Sequence, residues 1–222
     1  MVLQSVAFDI ETTGFGVDDV VTVAGFAMPL GVRVFVQTDG RSAEGVSDAV
    51  TTATGSDTTV RVSTHADEHK LLEAVSWFAG ERLQGESVLL VAYNGERFRG
   101  GFDVPFLRTR YAQRDVAWPF TGVPYADVLP LVTDRFNTTV DEDDHSDLVG
   151  VYDVLCSGSY SDLYPFSDSA EAVTAFETGQ FDKLVLHNVA DVLRTQALAR
   201  LAERYCSKAD FDVKSLTPVI DE

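Results

Sequence analysis

The chain has 222 residues, 45% of them hydrophobic, enough to bury the core of one sizeable α/β domain. Its formal net charge is −18, and only Lys70, Lys183, Lys208 and Lys214 are lysines among 17 basic residues, so the surface repels polyanions in dilute buffer. No apolar run approaches the ~20 residues of a membrane-spanning helix, and Cys156 and Cys206 have no metal-type spacing, which excludes a helical membrane protein and a cysteine zinc site and leaves two reduced core thiols as the expectation.

In residues 6–11, Val6, Phe8 and Ile10 alternate with Ala7, Asp9 and Glu11, which predicts a strand that breaks at Thr12-Thr13-Gly14. Alternation puts Asp9 and Glu11 on one face. At ~4 Å and an effective dielectric of ~20 they repel by about 4 kcal/mol; a bound cation converts that repulsion into coordination, while a solvated acidic strand end is the plain alternative. No basic-then-apolar leader precedes this strand, so a cytoplasmic location is expected.

Residues 20–28 and 32–37 predict two more strands around a Pro29-Leu30-Gly31 turn, giving a three-stranded antiparallel meander. Residues 39–62, rich in Ser, Thr, Gly and Ala and with weak strand propensity around Thr58–Val62, are expected to be a loop or small insertion. Leu71, Leu72, Val75, Phe78, Ala79 and Leu83 predict an amphipathic helix over 66–84, with Thr64 and Glu68 in the cap region. His65 and His69 are four apart but lack a third ligand nearby and read as surface residues. The apolar run 87–93 predicts a strand buried on both faces, closed by an Asn94-Gly95 turn. Asp103 followed by Pro105 predicts a helix start, with Asp103 as a plain N-cap in the simplest reading.

Residues 125–132 predict a short strand or strand-turn centred on Asp127, which reads as structural. The run Asp141-Glu142-Asp143-Asp144-His145 predicts a solvated loop. Helices follow near 147–157 and 168–178, the second closed by Gly179. A long helix is expected from Phe181 to about Tyr205, with His187 and Asp191 on one side of it. Residues 207–222 are expected as a loosely docked C-terminal extension of a 1–206 domain.

Asp9, Glu11, Asp103 and Asp191, in this order and setting, resemble the motifs of the DEDD superfamily of 3′–5′ exonucleases. The motifs are Asp9-Ile10-Glu11-Thr12; Tyr93-Asn94-Gly95 with Phe102-Asp103-Val104-Pro105-Phe106-Leu107; and His187-Asn188-Val189-Ala190-Asp191. The likeness covers roughly residues 2–205. It implies a ribonuclease H-like α/β fold, with a mixed central sheet in β-β-β-α-β-α-β-α order flanked by helices. Two departures stand out. About four extra residues, around 97–101, separate Asn94 from Asp103, which leaves Phe98 or Phe102 as the positioning aromatic. The third motif has His187 four residues before Asp191, where one branch has Tyr at that spacing and the other has His five before. The tyrosine-spaced group, with the proofreading domains of family B DNA polymerases and small stand-alone relatives, is the nearer likeness.

The resemblance implies two Mg²⁺ or Mn²⁺ ions about 4 Å apart. Asp9 would bridge them, Glu11 and Asp191 would complete the first, and Asp103 would hold the second. His187 would orient or deprotonate the attacking water. Thr12, Gly14, Phe15, Asn94 and Phe102 would line the terminal-nucleotide pocket. The implied substrate is the 3′ end of single-stranded DNA or RNA, released as 5′-mononucleotides, with Arg97, Arg99, Arg108, Arg110 and Arg194 either contacting phosphates or pairing with local acids. The acidic, lysine-poor surface resembles proteins of salt-loving organisms, where a Debye length near 3 Å at 1 M salt removes the repulsion; a protein partner supplying basic surface is the other route. A binding module of the same fold without turnover, and an endonuclease sharing the metals, are the competing expectations.

Overall fold

A computed structural model describes residues 4–56, 58–84, 88–96, 102–156, 158, 160–166, 168 and 170–219. Nine strands and seven helices are described: β1 (Gln4–Thr12), β2 (Val21–Met28), β3 (Gly31–Gln37), α1 (Val46–Thr54), β4 (Val60–His65), α2 (Glu68–Arg82), β5 (Val88–Ala92), α3 (Asp103–Arg114), β6 (Pro124–Asp127), α4 (Val128–Arg135), β7 (Thr139–Val140), β8 (Asp143–Asp144), α5 (Leu148–Cys156), α6 (Ala170–Thr178), α7 (Phe181–Tyr205) and β9 (Lys214–Ser215). Seven strands form one mixed sheet in the order β4-β3-β2-β1-β5-β6-β9. The expected meander is there: β2 runs antiparallel to both β1 and β3. β5 lies parallel to β1, β6 parallel to β5, and β4 parallel to β3.

The alternation of β1 divides the core. Val6, Phe8 and Ile10 pack with Phe26, Phe35 and Leu90 under α2 and α3. Ala7 points the other way, into a cluster with Val23, Val34, Val36 and Val91 under α7, α5 and α6. β5 is buried on both faces, as its continuous apolar run predicts. Among the described residues no helix is long and apolar enough to cross a membrane.

Four local expectations are corrected. Residues 39–65 hold a helix, α1, and a complete edge strand, β4, whose half-exposed face gave little apolar signal. α2 is capped by Asp67, whose carboxylate accepts the Lys70 amide at 2.9 Å, and not from Thr64. The acidic run is an exposed two-stranded hairpin, β7–β8. The tail adds β9 antiparallel to β6, buries Leu216 and takes the Trp118 indole N–H on the Leu216 carbonyl at 3.0 Å. Cys156 and Cys206 are free and half-buried at helix ends. His65 sits 2.9 Å from the Ser63 hydroxyl and His69 pairs with Glu73.

Candidate active site

Asp9 and Glu11 stand near the end of β1 on the face covered by α7. Directly opposite Asp9 in the β1–β2 register is Gly25. A Cβ there would lie 1.9 Å from Asn188 Oδ1, so the missing side chain is what admits Asn188 from α7. The Asn188 amide donates to Asp9 Oδ2 at 2.8 Å and to the Asp9 carbonyl at 3.3 Å. His187 and Asp191, one turn apart on α7, complete this wall. His187 Nε2 lies 3.7 Å from both Glu11 Oε1 and Asp191 Oδ2. Asp191 Oδ1 accepts Arg194 at 3.0 Å, which turns Oδ2 toward the imidazole.

Asp103 comes from a third segment, at the first turn of α3. The N-cap position belongs to Phe102, so the plain N-cap reading of Asp103 does not hold. The turn after β5 is clamped at both ends. Asp127 Oδ1 accepts the Asn94 and Leu129 amides at 2.9 and 3.1 Å, and its Oδ2 accepts the Glu96 amide at 3.3 Å. The Phe102 and Val104 amides return to the Asn94 and Gly95 carbonyls at 3.0 and 2.8 Å. The residues on either side of the added stretch of the second motif are thus held in place. Phe98 and the rest of residues 97–101, Arg97 and Arg99 among them, lie outside the described residues. Asn94 adopts the left-handed conformation, and its buried Oδ1 has no partner among the described residues. A Cβ on Gly95 would come within 3.2 Å of Asp103 Oδ2.

The carboxylates feel one another. Burial, then Glu11, Asp103 and Asp191, hold Asp9 well above the usual carboxylate range, against the Asn188 hydrogen bond. Burial, Asp191 and Asp103 do the same to Glu11, and burial, Asp127 and Asp191 to Asp103. Asp191 is pushed up to about 7 by burial, with Arg194 opposing. His187 is lowered to about 4 by burial and by the Arg194 charge. Acids brought together at this electrostatic cost are a characteristic of functional sites.

The pocket-lining residues divide. Phe15 is 76% exposed and meets Phe102 edge-on with ring centroids 4.9 Å apart; Phe102 continues to Phe106 at 4.7 Å. Thr12 spends its hydroxyl on the Gly14 carbonyl at 2.8 Å, and Gly14 packs against the Asp19 carboxylate that caps this turn. Two arginines are committed elsewhere. Arg110 is buried on Glu68, with Nε and Nη2 both at 2.7 Å, and Arg194 is buried between Asp191 and the Tyr160 carbonyl. Arg108 is exposed near the Trp118 ring.

Asn188 and Gly25 escaped the sequence reading, although a glycine inside an apolar strand is a signal of close backbone approach. Tyr164 and Phe166, whose rings flank His187 at 4.6 and 5.2 Å, come from an irregular segment with no periodic signal. No protein-family model matches the chain, and no curated protein matches it, so the reading of the site rests on its geometry.

Proposed function

We propose that the chain is a divalent-metal-dependent 3′–5′ exonuclease with a ribonuclease H-like fold, acting on the end of single-stranded DNA or RNA. One observation carries the proposal. Asp9, Glu11, Asp103 and Asp191, from three distant segments, lie near enough to act on one another: desolvation pushes all four carboxyls upward, and neighbouring acids add to it at Asp9, Glu11 and Asp103. Such a donor set is all hard oxygen apart from His187, and it suits Mg²⁺ or Mn²⁺. The sheet core β3-β2-β1-β5-β6, with β2 reversed, supports the fold reading.

Asp9, Glu11, Asp103 and Asp191 would hold the cations, which supply a nucleophilic hydroxide near neutral pH and stabilise the leaving oxygen. Asn188 fixes the Asp9 carboxylate against the strand, and Arg194 fixes Asp191. Asp127 holds the turn that delivers Asp103. The exposed Phe15, backed by Phe102, offers a face on which the terminal base stacks. With Arg110 and Arg194 consumed internally, phosphate contacts fall to the cations and, among the described residues of that arginine set, to the exposed Arg108. Molar salt or a basic partner then overcomes the −18 charge.

The test is turnover of a single strand labelled at its 5′ end, in molar KCl with Mn²⁺, beside Asp9→Ala. Stepwise shortening from the 3′ end, absent in the variant, is expected. Internal cuts point to an endonuclease, and metal-dependent retention of an intact strand points to a binding module.

A further inference from the structure

His187 is the feature that the motif comparison leaves unresolved. The ring is 2% exposed, its Nδ1 has no hydrogen-bond partner among the described residues, and its Nε2 makes only the two 3.7 Å approaches to Glu11 and Asp191. Those distances are too long for hydrogen bonds. Nε2, not the orphaned Nδ1, is the ring atom that faces both carboxylates, so a cation between them would meet the imidazole there.

We propose that His187 is itself a metal ligand. On this reading Glu11 Oε1, His187 Nε2 and Asp191 Oδ2 form one cation site that favours Mn²⁺, Co²⁺ or Zn²⁺ over Mg²⁺. The inference rests on the metal-dependent reading above and changes the part played by the imidazole, from base to ligand. The three donor atoms lie within 4.8 Å of one another. Donors about 2.1 Å from a shared ion, at tetrahedral to trigonal angles, stand about 3.5 Å apart, close to the two 3.7 Å separations. The triad is also preorganised. His187 and Asp191 are one helical turn apart, Arg194 holds the outer oxygen of Asp191, and Tyr164 and Phe166 pack against the ring. Nitrogen in the donor set shifts preference from Mg²⁺, which keeps to oxygen and water, toward ions that accept imidazole.

The test uses the full chain with Mn²⁺ alone, without nucleic acid, in molar KCl. Pulsed electron paramagnetic resonance of bound Mn²⁺ should show ¹⁴N coupling from a directly bound imidazole. His187→Gln should lose that coupling and bind Mn²⁺ about tenfold more weakly or worse, while Mg²⁺ binding changes less than Mn²⁺ binding does. The chain has four histidines. A variant with His65, His69 and His145 all replaced by glutamine therefore gives a second route: coupling retained there can come only from His187, even if His187→Gln does not fold. Mn²⁺ bound with no ¹⁴N coupling, or coupling that persists in His187→Gln, overturns the ligand role and leaves the carboxylate site standing. No Mn²⁺ binding to the wild-type chain overturns both.

Discussion

Gly25→Ala adds one methyl group at the point where β2 passes beneath α7. The new Cβ would lie 1.9 Å from Asn188 Oδ1, 3.0 Å from its Cγ and 3.3 Å from Val192 Cγ1. To reach ordinary contact the Asn188 amide must retreat by about 1.5 Å, the difference between 1.9 Å and 3.4 Å. The 2.8 Å hydrogen bond to Asp9 does not survive that movement. A hydrogen bond to an ionisable partner contributes about 1.5–3 kcal/mol, and overpacking a core costs about 1–3 kcal/mol. Stiffening the unfolded chain returns about 0.4–1 kcal/mol. The net loss should be about 2–5 kcal/mol, read by urea denaturation in high KCl with chelator present. In an Asn188→Ala background the obstructing amide is gone, and the same substitution should cost under about 1 kcal/mol. Equal losses in the two backgrounds would refute the idea that Gly25 exists to admit Asn188.

Glu68→Ala should cost about 3–5 kcal/mol, because it strands the buried Arg110 and unties Arg114 and the Val21 amide at once; a loss below about 1 kcal/mol in denaturant titration would contradict this. In the metal-free protein the Asp191 contribution to stability should be lost as pH rises from about 4 through about 7. The folded-state value of Asp191 lies above its unfolded one, so its contribution is complete at low pH and disappears as the folded group ionises. His187, lowered to about 4, works the other way and loses its contribution as pH falls from about 6.5 toward 4. Asp191→Asn isolates the first term: it should flatten the fall between pH 4 and 7, and an unchanged slope would remove Asp191 from it. Phe15→Ala should leave stability within about 0.5 kcal/mol, since the ring is 76% exposed. It should weaken retention of a single strand by about 1–3 kcal/mol in a filter or anisotropy titration, and unchanged retention would take the ring out of the substrate path.

Much of the architecture follows from short-range pattern. The alternation of Val6, Phe8 and Ile10 with Ala7, Asp9 and Glu11 is a local property of the pleat, and it already separates the acidic face of β1 from the aromatic one. α7 runs from Phe181 to Tyr205, the bounds its apolar spacing predicts, because three- and four-residue steps on a long helix leave little ambiguity. The same spacing puts His187 and Asp191 on one side. β4 shows only as weak strand propensity around Thr58–Val62 for the opposite reason: of its six residues only Val60 is buried, so an edge strand and a polar loop look nearly alike in sequence.

What the sequence by itself determined, then, is the acids, the faces they occupy and the elements that carry them, since each depends on neighbours within a turn or a pleat. Which groups meet across the chain was decided only by the tertiary structure. Arg110, a plausible phosphate contact by position, is consumed by Glu68 from another helix. Asp103, a plausible cap, instead stands among other carboxylates. Asn188 reaches Asp9 only because the strand between them has no side chain at Gly25. Pairings separated by tens to more than a hundred residues leave no periodic trace in the sequence. They are set by how the sheet and helices pack, and there burial turns an ordinary polar residue into either a ligand or a brace.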